Sequence, residues 1–180
     1  ECDHVVVAGL SMGGALALRL AATRPVAGAV LVNPGLVIDD PRAPLAGILK
    51  YVLKSTPAIA NDILKPGVDE GAYSRTPVAA AYELHKMFKD TMRLLPRITA
   101  PVRVYRSTVD HVVSDSSMRA LRRGLTRAPL EVIRLENSYH VATMDNDAPE
   151  IFRGSAEFIR SLAAAATPDA HASQKDTADD

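Results

Sequence analysis

A chain of 180 residues with 47% hydrophobic side chains is enough for one domain with a sizeable core. Its 21 basic and 21 acidic residues cancel, so no broad field favours nucleic acid or an anionic membrane surface. One cysteine, Cys2, excludes an internal disulfide and offers no metal cluster, and no stretch approaches the roughly twenty apolar residues that span a bilayer. The chain opens at Glu1 without a methionine and enters a strand within a few residues. It reads as the C-terminal part of a longer protein or a shortened form of one, and a cytoplasmic setting is expected.

Residues 3–8, centred on Val5, Val6 and Val7, predict a strand of the uninterrupted apolar kind that parallel sheets bury on both faces. Gly9-Leu10-Ser11-Met12-Gly13-Gly14 follows, then an alanine/leucine helix to about Thr23, closed by Pro25. A strand, a sharp turn with serine at its apex and a helix make the G-x-S-x-G nucleophile elbow in its required context. Gly9 and Gly13 are expected to give the strand and helix backbones clearance. The helix directs its positive end at any anion forming beside Ser11. The plainer alternative is a tight glycine-rich turn in an ordinary doubly wound sheet. Residues 28–32 predict a second buried strand, ended by Asn33-Pro34-Gly35, which completes one right-handed crossover.

Residues 38–97 change character. Leu45, Ile48, Leu49, Val52 and Leu53 recur at helical spacing, with Lys50 and Lys54 turned away. Residues 65–71 read as loop. Thr76 and Pro77 read as N-cap and first position of a helix with Val78, Ala81, Tyr82, His85, Phe88 and Met92 on one face. Two helices inserted between core strands suggest a cap over a site, although helices covering one face of the sheet fit the same periodicity. Core structure resumes with a strand at 102–105, a helix capped by Ser114 or Asp115 and reaching about Leu125, and a strand at 130–135. The last helix is predicted over 148–164, with Ile151, Phe152, Ser155, Phe158, Ile159 and Leu162 inward. Residues 165–180 are polar, small and acidic, and are expected to form a disordered tail. The expected fold is α/β, with a parallel sheet of about four strands, flanking helices, core segments at 1–37 and 98–164, and a small helical cap insertion between them.

Serine is a poor nucleophile at neutral pH without a base, and the base needs an orienting acid. Ser11 follows the first predicted strand, Asp110 the third and His140 the fourth, so all three belong at the carboxyl edge of one parallel sheet. The other histidines fit less well. His171 lies in the tail, His4 precedes the first strand, and His85 sits on the cap helix. His111 adjoins Asp110 and competes, but acid and base are expected from separate loops. Asp115, Asp145 and Asp147 read more simply as helix caps.

These segments, Gly-Leu-Ser-Met-Gly-Gly at 9–14, Val-Tyr-Arg-Ser-Thr-Val-Asp-His-Val-Val at 104–113 and Ser-Tyr-His-Val-Ala-Thr-Met-Asp at 138–145, resemble the bacterial carboxylesterase and monoacylglycerol lipase branch of the α/β-hydrolases. The resemblance runs from residue 2 to about 162, including Tyr73-Ser74-Arg75-Thr76-Pro77. It implies hydrolysis of medium- or long-chain acyl esters through a serine acyl-enzyme, with no metal and no organic cofactor. By position it makes Ser11 the nucleophile, Asp110 the acid, His140 the base and the Met12 amide one oxyanion donor. Leu45, Ile48, Leu49, Val52, Tyr82, Phe88 and Met92 would line the acyl site. The family's earlier strand and His-Gly or Phe-Gly segment, source of a second oxyanion donor, do not precede Glu1, so the first strand presents an unpaired edge open to self-association. The expected partner is a small acyl ester, with no nucleic acid and no stable membrane insertion. A peptidase or acyltransferase of the same fold, or a non-catalytic interaction module, are the rival readings.

Overall fold

The computed structural model describes residues 4–40 and 46–166. In chain order the elements are β1 (Val6–Leu10), α1 (Met12–Thr23), β2 (Gly28–Val32), α2 (Ala46–Leu49), β3 (Ser55–Pro57) and β4 (Arg75–Pro77). They continue with α3 (Val78–Leu94), β5 (Val102–Ser107), α4 (Asp115–Gly124), β6 (Leu130–Leu135) and α5 (Ala148–Ala166). Four strands form one parallel sheet in the order β1-β2-β5-β6, while β3 and β4 make a separate antiparallel ribbon. No helix among the described residues is long and apolar enough to cross a membrane.

Strand alternation divides the core into two layers. Leu31 and Val104 face Leu18 of α1, Phe88 of α3 and Leu121 of α4. Val30, Val32 and Tyr105 face the other way, onto Ile151 and Phe158 of α5. Each such buried Leu, Val or Phe contributes roughly 1.5–3 kcal/mol, which is why the sheet's centre, β2, is buried at every position. The register sets Leu10 beside Val32, Val32 beside Tyr105 and Ser107 beside Leu135. The loops after all four strands therefore leave from one rim.

Several boundaries differ from expectation. β1 occupies 6–10 rather than 3–8, because it pairs residue for residue with β2 from Val6 opposite Gly28. The helix expected around 45–53 shrinks to the single turn α2: Val78 donates to the Lys54 carbonyl, and the chain leaves the helix to build the ribbon. Ile48 and Val52 are consequently 72% and 85% exposed. Thr76 is not an N-cap, because it pairs with Thr56 across the ribbon in extended backbone, and Pro77 stands at the cap position. Phe152 and Ile159 face solvent, at 59% and 43% exposed. Gly154 explains this: a Cβ there would lie 2.4 Å from the Tyr105 hydroxyl, so the closest approach of α5 to the sheet fixes its rotation. α3 divides its packing, with Phe88 in the core layer beside α1 and α4 and its first turns against α2 and the ribbon. Leu45 and residues 167–180 of the expected tail lie outside the described residues, and 165–166 are helical.

Candidate active site

Ser11 joins β1 to α1 with φ 54° and ψ −118°. A left-handed non-glycine residue costs on the order of 1–3 kcal/mol and persists where its surroundings over-determine it. Here the Ser11 amide donates to Val32 O, and its carbonyl accepts from Gly14 N and Gly35 N, each at 3.0 Å. Gly9 is obligatory, since a Cβ would sit 2.1 Å from the Gly13 carbonyl oxygen. The second tight glycine is Gly14, packed on Pro34, and not Gly13, whose side-chain direction is open. Met12 begins α1, and the amides of a helix's first turn have no intrahelical acceptor.

Asp110 lies beyond β5 with its side chain fully buried. Its Oδ1 accepts from the amides of Val112 (3.0 Å) and Val113 (2.8 Å). Its Oδ2 accepts from Arg106 Nη1 at 2.5 Å and faces His140 Nδ1 at 3.0 Å. Burial pushes the carboxyl up, but the hydrogen bonds from His140, Val113 and Val112 outweigh it and hold the group below the usual carboxylate range. With Nδ1 turned to the acid, Nε2 is the ring atom left for a reacting group. Among the described residues no hydrogen bond joins the Ser11 hydroxyl to this ring. In ligand-free enzymes such contacts are often long and tighten around substrate. Ser11 and Asp110 line one cavity of about 470 Å³.

The base loop is held from two sides. Asn33, fully buried with φ 42°, reaches with Nδ2 to Ser107 Oγ (2.9 Å) and the carbonyls of His140 (2.8 Å) and Tyr139 (3.3 Å), and accepts from Ser107 N (2.9 Å). One amide side chain thereby ties the ends of β2 and β5 to the base loop. On the other side Asp62 accepts from the amides of His140 and His111, both at 3.1 Å. His111 itself is turned to Asp62, with Nδ1 to Oδ1 at 2.7 Å, and meets Tyr139 edge to face, so its Nδ1 is engaged away from the Asp110 carboxylate. Asp145 is no simple cap: it accepts from the amides of Leu64, Lys65, Tyr139 and Asn146. Sequence reasoning missed Asn33, Asp62 and Arg106 as site residues. The available signals were an arginine inside an apolar strand and an asparagine directly at a strand end.

The cavity wall is apolar, formed by Val37, Ile38, Ile59, Leu84, Phe88, Val112 and Val113, with Asp39, Asp40 and Ser114 also on its lining. Of the side chains expected there, Phe88 is present. Tyr82 instead packs on Gly47 under the Lys50 ammonium, 4.4 Å from its ring centroid, and Met92 turns into the core layer. Ile48, Leu49 and Val52 are exposed, because α2 ends before it can present a second turn. Among the described residues no group of three or more His, Cys, Asp or Glu is placed to hold a metal ion.

Comparison with known proteins places this rim in a family. The model of the alpha/beta hydrolase family matches residues 1–155. The chain is 37% identical over 163 residues to a thermostable monoacylglycerol lipase of Bacillus sp. (strain H-257), covering 88% of this chain and 64% of that protein. It is 22% identical to a carboxylesterase of Bacillus subtilis (strain 168), covering 89% of this chain and 65% of that protein. A solved structure of the metagenome-derived lipolytic enzymes LipS and LipT superimposes with a TM-score of 0.83 at 36% identity, over 89% of this chain and 66% of that one. The chain thus spans just under two thirds of the length of the curated relatives it matches. With the elbow, the parallel sheet and the paired Asp110 and His140 at one rim, the chain belongs to the alpha/beta hydrolase family, on the side of its carboxylesterases and monoacylglycerol lipases.

Proposed function

We propose that the protein hydrolyses carboxylic esters of medium or long acyl chains, monoacylglycerols among them, with Ser11 as nucleophile, His140 as base and Asp110 as acid. The observation that carries the reading is the buried Asp110–His140 pair beside a cavity into which the left-handed elbow lifts Ser11. The monoacylglycerol lipase relative supports the substrate class. His140 Nε2 removes the hydroxyl proton as Ser11 attacks the ester carbonyl, and Asp110 stabilises the imidazolium. The Met12 amide, at the positive end of α1, receives the oxyanion, a contribution worth roughly a hundred- to a thousandfold in rate. His140 then protonates the departing alcohol and activates water to release the acid. The acyl chain lies along Val37, Ile38, Ile59, Leu84 and Phe88, and residues 38–97 serve as the cap over it.

A fluorophosphonate probe labels the wild-type chain in this reading, and Ser11→Ala abolishes the label. Hydrolysis of p-nitrophenyl esters should favour octanoate over acetate. Labelling that persists in Ser11→Ala moves the nucleophile elsewhere, and a wild-type chain that neither labels nor hydrolyses overturns the proposal.

A further inference from the structure

We propose that Arg106 is a positioning residue for this reaction: its guanidinium holds the Asp110 carboxylate in place and offsets part of the charge that the same oxygen turns to the His140 ring. The inference rests on the roles given above to Asp110 and His140.

Arg106 belongs to β5, where an apolar side chain would satisfy the strand. Its side chain is 11% exposed, and every contact it makes concerns the acid segment or what touches it. Nη1 donates to Asp110 Oδ2 at 2.5 Å and lies 3.5 Å from Asn33 Oδ1. Nη2 donates to the Val113 carbonyl at 2.7 Å and to Asp115 Oδ1 at 3.3 Å. The fork therefore grips residues 110 and 113 together, while the amides of Val112 and Val113 close on Oδ1 of the same carboxylate. Among the described residues Nε is buried without a hydrogen-bond partner. A buried, incompletely satisfied guanidinium costs stability, so its retention here fits a role at the acid better than a role in packing.

The decisive detail is that Arg106 and His140 meet the same oxygen, Oδ2. A guanidinium already on that oxygen offsets part of its negative charge and disfavours a second cation on the ring. Arg119 and Arg122 of α4 and Arg134 of β6 line a second cavity with Arg106 and Asp115, one that neither Asp110 nor His140 lines, and the acidic groups near the ring act in the opposite sense to Arg106. Asp62 bonds the His140 and His111 amides, Asp145 bonds the Tyr139 amide, and Asp39 and Asp40 lie across the cavity with His111. Asp115, on the far side of Arg106, is 78% exposed. α1 and α3 present uncharged Ser11, Met12, Leu84 and Phe88. Of these only Asp115 touches Arg106, and it is exposed, so a substitution at Arg106 acts chiefly through Asp110.

The test is an NMR titration of the His140 ring in wild type, Arg106→Gln and Arg106→Lys, with the pH profile of kcat/KM measured alongside. In Arg106→Gln the ring keeps its proton to higher pH than in wild type, and the acid limb of kcat/KM moves to higher pH with it. Arg106→Lys keeps the charge and loses the fork, so the limb stays in place while kcat/KM falls on the order of ten- to a hundredfold. A wild-type ring titration in Arg106→Gln overturns the proposal. Should Arg106→Gln fail to fold, a wild-type kcat/KM in Arg106→Lys overturns it instead. A wild-type chain inert to ester and fluorophosphonate defeats the esterase reading, and the ring titration still decides the electrostatic effect of Arg106.

Discussion

Two carboxylates, Asp110 and Asp145, decide how the rim responds to acid. Burial alone would raise both. In Asp145 that rise is outweighed by the amides of Leu64, Tyr139, Asn146 and Lys65, and in Asp110 by His140, Val113 and Val112, so each folded-state pKa lies below the ordinary value. A depressed carboxyl contributes stability above its unfolded pKa and loses it as pH falls through the folded one. The thermal midpoint should therefore hold through neutrality and fall steeply below about pH 4. Asp145→Asn should cost about 2 kcal/mol in urea unfolding at neutral pH and flatten that acid fall, because it weakens the acceptor for four amides. An acid fall of wild-type depth in Asp145→Asn would refute this account. That Ser11, Asp110 and His140 would meet at one rim was legible because each follows a strand of the parallel sheet. Asp145 was not, because its amide partners Leu64 and Lys65 are remote in sequence. Asn33 read as turn punctuation for the same reason: its partners are Ser107, Tyr139 and His140.

The elbow is an element whose tolerance is unequal from glycine to glycine. Gly9→Ala forces a Cβ to within 2.1 Å of the Gly13 carbonyl, a backbone atom that cannot step aside. The expected cost is at least the 1–3 kcal/mol typical of overpacking, with loss of fluorophosphonate labelling. Gly13→Ala meets open space in a helix and should leave the thermal midpoint unchanged or slightly higher. Equal losses at the two positions in differential scanning calorimetry would refute the packing argument. Strand and helix types in the core were readable from apolar runs, and β2 and β6 match their expected limits to the residue. α2 was overextended because periodicity cannot see the ribbon that takes the Lys54 carbonyl. The rotation of α5 was likewise hidden, since it depends on Tyr105 meeting Gly154.

Across the described residues the sheet is asymmetric. β2 and β5 have a strand on each side, whereas β1 pairs with β2 alone among the described residues. The helices on the two faces of the sheet also carry exposed apolar side chains, Leu16 and Leu20 on α1 and Phe152 and Ile159 on α5. With a formal net charge of zero, little repulsion keeps copies apart. An unpaired apolar edge is a template for another strand. We therefore expect the 180-residue chain, with that edge open, to self-associate in a concentration-dependent way in sedimentation velocity, less so with Val5→Lys together with Leu20→Lys. A chain that stays monomeric at every concentration would defeat this expectation. The parallel sheet and the rim could be derived from connection rules, but the cavity could not, because it forms where residues near 38, 59 and 88 converge.

The segment around Asp62 is tied to the loop that bears His140. Asp62 tethers the His111 and His140 amides, its own carbonyl takes the Val141 amide, and Asp145 grips Leu64 and Lys65 from beneath. Raising this strap would strip hydrogen bonds from the loop that bears the imidazole. Under the proposed function, whatever loosens this flank also unseats the imidazole on which proton transfer would depend.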